Sequence, residues 1–195
     1  MCIVTLDGIP MKILTPWLRS YLPVLDVDDA QLAEDLTLRG IAVEGVFERN
    51  DEAGASDGAL FDMDITTNRV DAMNHFGVAR EVAAIYDLPL HDLDTTLPEG
   101  NVGAKPFPVR IEAPELCGRF TARVIRWVTV LPTEGRVAHW FEALGQKRIS
   151  NAVDATNFVL LGMGHPTHAF DLDKVEGGIV AVSYTHLTLP TKRIV

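Results

Sequence analysis

One stretch, Lys147 to Ile179 (KRISNAVDATNFVLLGMGHPTHAFDLDKVEGGI), constrains this chain more than any other. Ser150 is placed to cap a helix, and Ala152, Val153, Ala155, Phe158, Val159, Leu160 and Leu161 give that helix a wide apolar face. Gly162 and Gly164 are expected to stop it, because glycine reaches left-handed backbone angles at little steric cost. Pro166 then pushes His165 towards extended backbone. Residues 165–171 (HPTHAFD) therefore read as a loop carried on a rigid helix, with two histidines and a carboxylate available for binding or chemistry.

Three readings of His165, His168 and Asp171 are open from the residues alone. The spacing His-x-x-His-x-x-Asp has the ligand types for a metal, but Pro166 breaks the helix or rigid turn on which such histidines usually sit. A histidine–carboxylate dyad for base catalysis needs a nucleophile or an ordered water, which spacing does not show. In the third reading, His168 and Asp171 bond backbone groups and shape the loop. No metal site is expected.

The 195 residues allow one or two domains, and 47% apolar content is enough to bury a core. A formal charge of −10 argues against unaided, non-specific nucleic-acid binding, because phosphate neutralisation supplies most of that affinity. Cys2 and Cys117 are far apart and form no paired motif, which fits a reducing compartment rather than a disulfide framework. Cys117 reads as a small packed residue. No apolar run approaches the roughly 20 residues that cross a bilayer, and the opening MCIVTLDGIP lacks a basic leader. The cytoplasm is the expected compartment, with no membrane partner.

Taken in order, Thr15 is expected to cap a short helix with Pro16 at its first position, turning Trp17, Leu18 and Tyr21 inward. Asp28 or Asp29 caps a second helix with Leu32, Ala33, Leu36 and Leu38 facing the core, ended by Gly40. Residues 41–47 alternate as a strand does, 48–59 read as a polar surface loop, and 60–65 as a second strand. Asp71 is expected to cap a helix over 72–86, with Met73, Phe76, Ala79, Val82, Ala83 and Tyr86 at helical spacing. Asn68-Arg69 could take an anion, but pairing of Arg69 with Asp64 or Asp71 is the favoured reading. Residues 88–108 read as a linker, 109–111 as the start of a new sheet, 112–117 as a turn and 119–130 as a long strand. Residues 137–144 fit a helix burying Trp140, Phe141 and Leu144, with Gly145 as its stop, and Trp127 reads as a second core anchor.

The run NAVDATNFVLLGMGHPTHAFDLDK closely resembles the start of the editing domain of bacterial phenylalanyl-tRNA synthetase beta subunits. Asn151, Val153, Asp154, Thr156, Asn157, Gly164, Pro166, His168, Ala169, Phe170 and Asp171 match that family's pattern; Phe158, Gly162 and His165 stand for its Tyr, Glu and Gln. Asn68, Arg69 and Asp71, followed by Gly77, Ala79, Arg80, Glu81, Ala83 and Ala84, match a second family pattern, and Met11 begins the family's usual start. Longer members insert an oligonucleotide-binding barrel where this chain has only the 48–59 loop.

The resemblance implies an α+β chain. Residues 1–10 would be an upstream extension, 11–90 a winged-helix-like domain, 91–108 a linker, and 109–182 the first part of the editing (tRNA-binding, deacylating) domain. Residues 183–195 (SYTHLTLPTKRIV) depart from the family and read as translated adapter sequence, an artefactual tail. The family pattern makes His168 an editing-pocket residue, with Lys147 or Arg148 as the basic residue before the helix. Asp154, Asn157 and Asp171 would be structural, as would Asn68, Arg69 and Asp71. The whole enzyme would use ATP and magnesium on an alpha subunit, in an α2β2 assembly acting on tRNA(Phe). This chain would bind neither cofactor and hold no catalytic residue of its own. Editing is needed because a hydrophobic pocket rejects an added hydroxyl, tyrosine for phenylalanine, by only about a hundredfold. The competing reading is a non-enzymatic winged-helix-like module binding nucleic acid or protein. The 72–86 helix carries only Arg80 as a cation, beside Glu81, which argues against DNA.

Overall fold

The computed structural model describes residues 11–50, 56–96 and 107–181. The expectations for 1–10, for most of the 91–108 linker and for 183–195 lie outside these residues. Helices and a small antiparallel sheet make the chain α+β. It divides into two compact units, one formed by the described residues of 11–95 together with 130–169, the other by those of 107–129 and 170–181.

In the first unit β1 (Met11–Leu14), β2 (Ala42–Asn50) and β3 (Ser56–Asp64) form an antiparallel sheet in the order β1-β3-β2. The pleat sends alternate residues to opposite faces. Ile13, Ala59, Phe61 and Met63 join one core with Leu18, Leu32, Leu36, Val78, Ala79 and Val82 from helices α1 (Thr15–Arg19), α2 (Asp29–Leu38) and α3 (His75–Tyr86). Leu14 and Leu60, of opposite parity, enter a second cluster with Trp17, Trp140, Ala143 and Leu144. This second face is covered by α4 (Gly135–Ala143) and α5 (Asn151–Met163). By contact, residues 130–169 pack with the described residues of 11–95. The cause is the apolar second face of the sheet.

Several local expectations are corrected. The 48–59 loop is shorter, because β2 and β3 pair as far as Asn50 and Ser56. Thr15 does not cap α1; its buried hydroxyl donates to Asp29 at 2.9 Å and accepts from the Ala59 amide at 2.8 Å. Asp28 caps α2, accepting from the Gln31 amide, and Leu38 lies 72% exposed on the outer side of its last turn. Asp71 sits in a 3-10 turn, and Asn74 caps α3, accepting from Gly77 N at 2.7 Å. A cap must precede the first helical turn, and that turn begins at His75.

In the second unit β4 (Val109–Ile111) runs parallel to β5 (Ile179–Ala181), and residues 113–117 form a turn. Residues 119–130 do not form the expected strand: among the described residues no ladder pairs with them. Trp127, expected in a core, is 87% exposed with φ 58°. Period-2 alternation becomes a strand only where another edge supplies hydrogen bonds.

Candidate functional site

The candidate loop is carried by α5, whose start is tied down at three points. Ser150 accepts from Val153 N at 3.4 Å, as a cap residue does. Asn151 and Leu131 exchange two hydrogen bonds: the Asn151 amide donates to Leu131 O (2.9 Å), and Leu131 N donates to Asn151 Oδ1 (3.2 Å). Asp154 is fully buried, accepting from Ile149 N at 3.0 Å and from the Thr133 hydroxyl at 2.6 Å. A buried carboxylate persists only with such donors, and its place in the first turn also suits the helix dipole.

The body of α5 rests on aromatic rings. Trp17 stacks against Phe158 (centroids 4.6 Å apart), Trp140 (4.8 Å) and His75 (4.1 Å), all within 20° of parallel. Gly162 does not stop α5. It lies buried inside the helix, where a Cβ would come within 2.9 Å of the Trp17 ring, so glycine is needed there for close approach. The stop is Gly164, at φ +70°, whose amide closes on Leu160 O at 2.8 Å.

The N-terminus of α3 meets this exit. Asn74 packs against Gly164, whose missing side chain makes room for it. His75 is fully buried, accepting from Leu14 N at Nε2 (3.0 Å) and donating from Nδ1 to Leu161 O at 2.8 Å. Those partners assign the tautomer, because a carbonyl can only accept and an amide only donate. Burial lowers the imidazole pKa to about 4, so the ring is neutral at physiological pH.

The candidate residues themselves are not gathered in one place. His165 and His168 are exposed beyond the C-terminus of α5; Lys147 and Arg148 are exposed before its N-terminus. Thirteen residues at about 1.5 Å per residue put those two ends about 20 Å apart. Asp171 caps a 3-10 turn over Leu172–Lys174, accepting from Asp173 N, and its bond to Lys174 (3.2 Å) holds its carboxyl below the usual range. Asn157 is half-buried on α5 and Asn68 is exposed. Arg69 pairs with Asp71 at 3.0 Å and with Glu81 at 2.6 Å, so its charge is already answered by carboxylates. An open groove of about 410 Å³ lies along the first half of α5, with Glu134, Val137, Asn151, Ala155, Phe158 and Val159 among its lining. None of His165, His168, Lys147 or Arg148 lines it. Among the described residues no group of three histidine, cysteine or acidic side chains is placed to hold a metal ion. Nor is any helix there long and apolar enough to cross a membrane.

Sequence reasoning missed Asn74 and His75. Asn74 carried a signal, a capping side chain three residues before Gly77. His75 carried none, because its partners lie 61 and 86 residues away.

Residues 116–188 match the family model of the B3/4 domain. It is 46% identical over 132 residues to the phenylalanine–tRNA ligase beta subunit of Anaeromyxobacter dehalogenans, covering 67% of this chain and 16% of that protein. The beta subunits of Burkholderia pseudomallei (40% over 159 residues; 77% and 19%) and Ralstonia nicotianae (34% over 186 residues; 89% and 22%) match similarly. The chain belongs to the phenylalanine–tRNA ligase beta subunit family. It spans about a fifth of the length of these curated relatives.

Proposed function

We propose that this chain is the part of a phenylalanine–tRNA ligase beta subunit that holds the first half of an editing site, within an enzyme that charges tRNA(Phe). The observation that carries the reading is the similarity to proteins named as that subunit, which reaches 46% identity. In this reading 11–90 act as a winged-helix-like domain and 109–182 open the editing domain. ATP, magnesium and phenylalanine bind an alpha subunit in an α2β2 assembly, in the cytoplasm, and this chain takes part in neither adenylation nor transfer.

The exposed loop after Gly164 then faces the aminoacylated end of the tRNA. In this reading His168 positions the terminal adenosine or the attacking water rather than removing a proton. Orientation of this kind governs rate steeply, because small displacements can cost about a hundredfold. Lys147 and Arg148, about 20 Å away along α5, would serve the tRNA backbone rather than the same atoms as His168.

The test uses the full-length subunit from the same gene, assembled with its alpha partner. His168→Ala should slow release of tyrosine from mischarged tRNA(Phe) by tenfold to about a hundredfold, with phenylalanine attachment near normal. Unchanged tyrosine release removes His168 from the site. An assembly that neither attaches phenylalanine nor releases tyrosine overturns the reading.

A further inference from the structure

We infer that His75 is a positioning residue for the His165–His168 loop, setting where the chain leaves α5; its link to catalysis rests on the editing role proposed above. The last turn of any helix leaves carbonyls without intrahelical donors. In α5 the Leu160 carbonyl is taken by the Gly164 amide, and the Leu161 carbonyl by the His75 Nδ1 proton. His75 is thus a cap supplied from another helix, 86 residues away.

Neighbouring contacts point the same way. Gly162 lies against Trp17 and Gly164 against Asn74, so α1 and the start of α3 both press on the turn that precedes His165. Histidine fits this place for three reasons at once. Its flat ring stacks on Trp17 at 4.1 Å, its Nδ1 edge donates to α5, and its Nε2 edge accepts from Leu14 of β1. A neutral imidazole has one donor and one acceptor, which matches one carbonyl and one amide. The sheet, α3 and α5 are therefore joined through a single side chain, and the loop inherits its direction from that junction.

Two conservative variants separate the ring's two bonds. His75→Asn places an amide N–H near the Nδ1 position and keeps the tie to Leu161. His75→Gln reaches the Nε2 position instead, keeping the tie to Leu14 and releasing α5. In the 195-residue chain, His75→Gln should shift the His165 and His168 ring resonances and speed amide exchange at Gly164 by about tenfold. His75→Asn should leave both near wild type. In the full assembly, His75→Gln should slow tyrosine release about tenfold with phenylalanine attachment within twofold, and His75→Asn should restore it. Equal behaviour of the two variants when both are folded, in either direction, overturns the inference. Should both unfold, nitrogen NMR of the wild-type chain decides: a protonated, slowly exchanging Nδ1 supports the assignment, and a protonated Nε2 refutes it. Loop changes in the short chain without any tyrosine release by the wild-type assembly would reject the editing reading and leave the positioning role standing.

Discussion

At the scale of single residues, two buried polar side chains govern how α5 is held. His75 is neutral when folded because burial lowers its pKa from 6.5 to about 4. The unfolded chain takes the proton near 6.5, so acid favours unfolding: the contribution of His75 is full above pH 6.5 and is lost as pH falls towards 4. That interval corresponds to a loss of about 3 kcal/mol. Chemical denaturation between pH 7.5 and 4 should show it, and His75→Gln should have a shallower pH dependence, since it cannot titrate. Asp154 is the second case. Asp154→Ala strands the Ile149 amide and the Thr133 hydroxyl and should cost about 3 kcal/mol, whereas Thr133→Val should cost about 1 kcal/mol. The double variant should cost no more than Asp154→Ala alone, because the hydroxyl it removes has already lost its acceptor. Urea denaturation of all three checks this.

At the scale of elements, α5 is where local sequence and packing pull apart. Its start behaves as capping rules require, with Ser150 and Asp154 in the first turn. Its apolar face is only partly used: Phe158 and Leu161 pack against the Trp17 cluster, while Leu160 is 39% exposed. The two glycines near its end do different jobs, which gives a separable prediction. Gly162→Ala improves helix propensity by about 1 kcal/mol but drives a methyl into a stacked tryptophan, an overpacking that costs about 1–3 kcal/mol. It should be net destabilising by about 1 kcal/mol and should weaken the near-ultraviolet circular dichroism of the Trp17 stack. Gly164→Ala should cost about 1–2 kcal/mol through left-handed backbone, with that signal largely kept. Thermal melts followed by circular dichroism distinguish the two.

At the scale of the molecule, the two units differ in how they bury their apolar residues. The first has a sheet with apolar side chains on both faces and helices over each. In the second, Phe120, Val124, Ile125, Trp127 and Val128 are all exposed, the last four within five consecutive positions. Trp127 is 87% exposed while Trp17 and Trp140 are 1% and 6% exposed, so acrylamide should quench about one third of the tryptophan emission. Trp127→Phe should abolish that quenchable, red-shifted part. Exposed apolar residues of this density also favour self-association. Sedimentation of the chain should depend on concentration, and Ile125→Lys should reduce that dependence.

Much of this was legible because it is local. The Asp28 and Ser150 caps, the left-handed stops at Gly40, Gly145 and Gly164, and the inward face of Trp140, Phe141 and Leu144 each depend on neighbours within one or two turns. The pairing of Arg69 with Asp71 is likewise two residues long. Sequence order also carried the match between residues 151–171 and a known family. Tertiary structure alone decided that 130–169 cover the second face of the N-terminal sheet, because the Leu14, Leu60 and Trp17 surface calls for apolar partners without naming them. It decided that, among the described residues, no ladder pairs with 119–130, since alternation states a capacity for pairing and not a partner. It also decided the part played by His75, whose two bonds close loops of 61 and 86 residues, a separation over which no local pattern in a sequence carries information.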